Sequence, residues 1–225
     1  MARHLLFDAD ETLYDFAATE RYALSLLFQD LSIPYTSEWI EPYHEENDKC
    51  WHMFECGEMT LERLKSARFE MFFSRTGLLY DGKKAGEDYT RYLGDGGFML
   101  PGAVDFLEDI TKDHDASIIT NGIAYTQHKR FKMTDTVKYF SHIFVSEEIG
   151  VQKPDKRFFD HVLSVLGLSP SDCLVIGDSE KSDIQGALNA GIESVYFSLK
   201  GKSSDKADHN AHSFDELAAI IRAIC

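Results

Sequence analysis

No apolar run in this chain approaches the roughly 20 residues needed to cross a bilayer, and no Cys-x-x-Cys pair occurs anywhere in it. The second absence removes the usual spacing of a zinc or dithiol redox site. The four cysteines are scattered instead. Cys50 and Cys56 lie six apart, which on a helix turns them in divergent directions. Cys173 opens an apolar run and Cys225 is terminal, so reduced, structural thiols are expected. Basic residues are few beside the acids, with 23 Lys plus Arg against 38 Asp plus Glu and a net charge of −15. That balance opposes a sequence-independent grip on nucleic-acid polymer or on an anionic membrane. There is no internal repeat. The glycines between Gly94 and Gly97 are followed by no Gly-Lys-Thr or Gly-Lys-Ser, which speaks against a phosphate loop there. The first apolar run begins within a few residues of Met1, and nothing addresses the chain out of the cytoplasm, so a cytoplasmic protein is expected.

At 225 residues the chain can form one large domain, or one domain carrying an insertion. Short apolar runs at Leu5 to Phe7, Ser117 to Thr120, His142 to Val145, Leu174 to Gly177 and Ser194 to Phe197 read as strands. Helices are expected between them at Gly102 to Lys112, Ala124 to Val137, Lys156 to Leu166 and Asp183 to Ala190. In the third, Phe158, Phe159, Val162, Leu163 and Leu166 recur at helical spacing, with Gly167 as a stop. This alternation predicts an α/β fold, a doubly wound parallel sheet. Residues from about 16 to 94 differ: they are rich in aromatics and helical periodicity and contain no strand run. Ser37 and Thr60 are expected as N-caps, and Ile33-Pro34 and Ser74 to Gly77 as breaks between helices. The predicted division is a core of 1–15 plus 95–225 and an all-helical insertion over 16–94. The glycines near its end read as a return hinge. Lys200 to His212 reads as a polar loop, in which His209 and His212 are more readily solvated than a metal pair. Trp39, Tyr43, Trp51 and Phe54 read as helix-packing residues, one or two of which could line a pocket.

The most informative string is Phe7-Asp8-Ala9-Asp10-Glu11-Thr12-Leu13. Two carboxylates at the mouth of a buried strand are expensive to desolvate and call for a cation, a hydrogen-bond network or a chemical role. The alternative is a pair of turn acids that cap a helix. Three later strings bear on the choice: Ile118-Ile119-Thr120-Asn121-Gly122, Gly150-Val151-Gln152-Lys153-Pro154-Asp155, and Val175-Ile176-Gly177-Asp178-Ser179 with Asp183 beyond it. Asp8, Thr120 and Asp178 each fall at the carboxyl end of an expected strand, where doubly wound folds bind ligands.

In this order the strings resemble the four motifs of the haloacid dehalogenase-like (HAD) hydrolase superfamily over essentially the whole chain. Asp8-Ala9-Asp10-Glu11-Thr12-Leu13 and Ser146 to Pro154 are most similar to its noncanonical pyrimidine nucleotidase branch. The resemblance implies a Mg²⁺-dependent phosphomonoester hydrolase with residues 16–94 as a mobile cap. It implies Asp8 as nucleophile and Asp10 as general acid and base. Thr120, the Asn121 backbone N–H and Lys153 would hold the phosphoryl group. Asp8 and Asp178 would bind Mg²⁺ by carboxylate and Asp10 by its carbonyl, with Asp183 in support. Dehalogenating members lack an acid at the position of Asp10, so phosphate chemistry is expected. The partner implied is a small phosphorylated substrate, a pyrimidine nucleoside monophosphate. The alternatives are a phosphatase for phosphoglycolate or another small phosphate, a phosphomutase, or an inactive phosphate-binding module.

Overall fold

The computed structural model describes residues 3–225. Its six strands are β1 (His4–Phe7), β2 (Ala116–Thr120), β3 (His142–Val145), β4 (Cys173–Gly177), β5 (Glu193–Phe197) and β6 (His209–Ala211). They form one all-parallel sheet in the order β3-β2-β1-β4-β5-β6. Every residue of β1, β2 and β4 is buried, which is why these strands read as unbroken apolar runs rather than alternating ones. Successive side chains still take opposite faces. Leu5 and Phe7 join Ile118, Ile176 and Val195 on one face, beneath α5 (Ala103–Ile110) and α10 (Phe214–Ile224). Leu6, Ile119 and Val175 face α8 (Lys156–Leu166) and α9 (Gln185–Ala190) on the other. The doubly wound α/β fold is as expected.

Four helices occupy the long excursion between β1 and α5: α1 (Phe16–Asp30), α2 (Ser37–Glu55), α3 (Leu61–Thr76) and α4 (Gly82–Asp95). They pack around an aromatic cluster of their own that includes Phe28, Tyr43, Phe69, Phe72 and Tyr89. Gly86 sets the approach of α3 to α4, since a Cβ there would lie 2.2 Å from the Lys65 carbonyl oxygen. Gly94 sits against Lys129 of α6 (Ala124–Met133). Among the described residues no helix is long and apolar enough to cross a membrane.

Several local expectations need correction. Gly94 belongs to α4 and is buried against α6, so the hinge reading fails for it and only Gly96 and Gly97 lie beyond the helix. Thr36, not Ser37, is the cap residue of α2. Thr60 does cap α3, accepting from the Arg63 N–H at 3.2 Å, and Gly77 ends it in the left-handed region. The helix from Ala124 stops at Met133, because Asp135 takes a left-handed conformation before a short 3₁₀ turn at Thr136–Tyr139. Ahead of α9, Glu180–Ile184 forms a π turn. The loop expected over Lys200 to His212 contains β6, and α10 follows it. Three residues with only Ala211 buried are too few to carry a period, so β6 is invisible to pattern reading. Its His209 pairs with Glu193 at 2.8 Å, while His212 lies 3.4 Å from Ser203, so the two histidines serve separate partners. All four cysteines are free, with Cys50 and Cys173 buried.

Candidate active site

The register of the sheet gathers the predicted residues. Phe7 pairs with Ile118 on one side and Ile176 on the other, so Asp8, Thr120 and Asp178 emerge together at the carboxyl edge. The Asp8 N–H donates to the Ile176 carbonyl at 2.8 Å, which fixes the chain as it leaves β1. Lys153 arrives on the segment between α7 (Ser146–Ile149) and α8. An ammonium has three donors, and Lys153 Nζ places all three: Asp8 Oδ1 at 2.7 Å, Asp183 Oδ1 at 2.6 Å and the Ile119 carbonyl at 2.8 Å. Asp183 also accepts from the Ser179 N–H at 3.0 Å. Gly177 makes room for it, because a Cβ there would meet Asp183 Oδ2 at 2.3 Å.

Asp8, Asp178 and Asp183 each offer an oxygen within 4.8 Å of the others. Burial pushes the Asp8 carboxyl up to about 7 against the pull of Lys153, with Asp183 and Asp10 adding to the rise. Burial and the charges of Asp8 and Asp183 push Asp178 up to about 8. Burial alone would lower Lys153, but Asp183 and Asp8 outweigh it and hold the ammonium charged. One lysine therefore leaves the trio of acids under-compensated. Hard carboxylate oxygens converging in this way fit a small divalent cation such as Mg²⁺.

Asn121 has a second role, in its side chain, beside the one expected of its backbone N–H. Its side chain accepts from the Lys153 N–H and donates to the Lys153 carbonyl, both at 2.9 Å, bracing the lysine loop against the end of β2. Thr120 Oγ1 accepts from the Gly122 N–H at 3.0 Å. Asp10 is held by two residues that sequence reasoning missed. Gln127 Nε2 donates to its Oδ2 at 2.8 Å, and Arg130 Nη1 lies 2.7 Å from its Oδ1 as a close ion pair without hydrogen-bond alignment. Arg130 is buried under the Tyr14 ring, and its Nη2 donates to Gln127 Oε1 at 2.7 Å. The two sit three apart on α6, which puts them on one face. A glutamine and an arginine at that spacing, directly after the Thr-Asn-Gly turn, were the available signal.

These groups open into a cavity of about 220 Å³. Its other wall comes from the four-helix segment and includes Phe16, Trp51, Arg68 and Leu93. Trp51 thus lines the pocket, whereas Tyr43 is buried in the aromatic cluster.

The haloacid dehalogenase-like hydrolase model matches residues 2–191. The chain belongs to this family. It is a hydrolytic enzyme, a phosphatase of this family, as the match and its nucleotidase relatives show. The pyrimidine 5'-nucleotidase PynA of Streptococcus pneumoniae is 33% identical over 220 residues, 96% of this chain and 93% of that protein. The pyrimidine 5'-nucleotidase YjjG of Escherichia coli is 34% identical over 222 residues, 98% and 97% of the two chains. Among solved structures, the HAD-hydrolase YfnB of Bacillus subtilis, crystallised bound to magnesium, matches with a TM-score of 0.90 at 34% identity, over 97% of this chain and 98% of that one.

Proposed function

We propose that this HAD enzyme is a Mg²⁺-dependent 5'-nucleotidase for pyrimidine nucleoside monophosphates, working through an aspartyl-phosphate. The observation that carries the chemistry is the convergence of Asp8, Lys153, Asp178 and Asp183 at one sheet edge, with a second acid, Asp10, clamped beside them. The substrate class is supported by the two nucleotidase relatives and by the aromatic wall of the cavity. In this reading residues 16–94 are the cap over a core of 1–15 and 95–225.

Asp8 attacks phosphorus in line. The bond from its carboxylate oxygen to phosphorus forms as the bond to the leaving oxygen breaks, and Asp10 gives that oxygen its proton. Asp10 then takes a proton from water, whose oxygen attacks phosphorus and returns Asp8 to a free carboxylate as inorganic phosphate leaves. Lys153 favours the ionised form of Asp8 against its burial and keeps the carboxylate in position. Thr120 and the Asn121 N–H address the phosphoryl oxygens. Gln127 and Arg130 keep Asp10 in one orientation through both proton transfers. Asp8 and Asp178 would hold Mg²⁺ through their carboxylates and Asp10 through its carbonyl, with Asp183 supporting. When bound, the ion offsets the charge that a phosphate dianion brings to an acidic site.

The test is a panel on purified enzyme, stripped of metal and then resupplied with Mg²⁺. UMP, dUMP and dTMP are expected to exceed phosphoglycolate and hexose phosphates in kcat/KM, and activity is expected only with the ion. A clear lead for phosphoglycolate or a sugar phosphate rejects the nucleotidase reading. Full turnover after chelation, verified by metal analysis, rejects the ion.

A further inference from the structure

Three arginines of α3 point in different directions and meet different fates. Arg63 is exposed and pairs with both oxygens of Glu70, and Arg75 pairs with Glu45 and Glu46. Arg68, between them, is only 2% exposed. Its Nε and Nη2 have no hydrogen-bond partner among the described residues, and its Nη1 has only a long contact, 3.4 Å, to Asn47 Oδ1. The guanidinium lies over the Tyr89 ring at 4.5 Å, with Phe69 at 5.5 Å. Aromatic faces attract a cation but are only weak acceptors of directed hydrogen bonds, so these buried donors stay largely unsatisfied. Nevertheless Arg68 lines the same cavity as Asp8 and Lys153.

The missing partner must be an acceptor, because a guanidinium only donates. The phosphate end of the cavity already has its cation in Lys153, so the partner belongs to the other end of the substrate. Trp51, Phe16 and Leu93, which come from the same four-helix segment as Arg68, line the cavity with apolar surface. An acceptor oxygen on a planar apolar ring satisfies both conditions. We propose that Arg68 is a specificity-determining residue whose free Nε–H and Nη2–H donate to a ring carbonyl oxygen of the pyrimidine, with the ring set against Trp51 and Phe16. The proposal rests on the nucleotidase reading and extends it to a residue of the cap.

The experiment compares UMP with ribose 5-phosphate, which carries the sugar and phosphate without the base, on the full chain with Mg²⁺. Arg68→Gln is expected to lower kcat/KM for UMP about 10- to 100-fold, the usual range for losing a charged hydrogen bond, while ribose 5-phosphate turnover stays as in the unchanged enzyme. Steady ribose 5-phosphate turnover also reports an intact fold. Arg68→Lys, which keeps the charge and most of the stem, should show the same base-selective loss at smaller size. Equal losses on both substrates in both variants would make Arg68 a structural cation and overturn the proposal, as would an unchanged UMP rate. If the unchanged enzyme already handles ribose 5-phosphate as well as UMP, the nucleotidase reading falls and the proposal with it. Base-selective wild-type activity with non-selective variant losses rejects the proposal alone.

Discussion

The two walls of the cavity are finished to different degrees. On the sheet side most groups of the phosphate end are already tied in place: Lys153 spends three donors, Asp10 is clamped by Gln127 and Arg130, and Asn121 ties the lysine loop to β2, while the Asp178 carboxylate has no side-chain partner among the described residues. On the helical side Arg68 is buried with two donors unfilled, beside aromatic surface that offers shape but little direction. The difference separates two tasks. Groups that must stabilise a transition state are preorganised, since reorientation during the reaction would forfeit their effect. Groups that select the leaving part can be left incomplete, and the correct substrate then supplies the last contacts.

The sharpest way to break this contrast is Asp8→Asn. The amide cannot form the phosphoryl intermediate, so phosphate release should fall by about 10³-fold or more for every substrate, small or large. A thermal melt close to that of the unchanged protein would show the fold intact, and near-normal turnover in that protein would move the nucleophile elsewhere. A second, intermediate effect concerns pH and metal. Without metal, burial raises Asp8 to about 7 and Asp178 to about 8, from an ordinary 3.8. A carboxyl raised in the folded state holds a proton that the unfolded chain has released. Its contribution to stability is therefore full below about pH 4 and lost as pH climbs through 7 to 8. Metal ligation needs the ionised carboxylates, so added Mg²⁺ should lift the melting temperature more at about pH 8 than at about pH 5. Equal lifts at both values would contradict the proposed ligands. The smallest effect on chemistry is expected from Gly86→Ala, where the new methyl strikes the Lys65 carbonyl and forces α3 from α4. Overpacking of this sort destabilises by about 1–3 kcal/mol. The melting temperature should drop while turnover of a generic aryl phosphate holds, and a matching collapse of that turnover would mean the two walls are not separable.

The sheet side was also the legible side. Asp8, Thr120 and Asp178 stand at the ends of apolar runs, and Lys153 stands just before a proline near a helix start, so short local patterns expose them. The sequence suggests Asp183 only as a support, and its direct pairing with Lys153 depends on the π turn at Glu180–Ile184, which no periodicity announces. For Asn121 the backbone was expected to matter, and the side chain turned out to brace a loop 32 residues away. Arg68 and Trp51 were harder still. Each sits within an amphipathic helix, where tertiary packing alone decides whether a large side chain enters the aromatic cluster or the cavity. Gln127 and Arg130 lay within reach of a spacing argument. β6 and the end of α4 were lost to shortness and to packing of Gly94 on Lys129.

The placement of β1 bears on how the chain is made. Leu5 must wait for Ala116 on one side and Leu174 on the other, since β1 lies between β2 and β4. A chain growing from its N-terminus therefore carries this wholly buried strand unpaired through the synthesis of the whole helical segment. Pairings so distant in sequence close slowly, and open strand edges invite association in the meantime. The four helices, whose contacts are local, can settle first around Phe28, Tyr43, Phe69 and Phe72. Asp8 then acquires its lysine and its fellow acids only after Asp183 has been added, so no shorter nascent chain can hold the complete constellation.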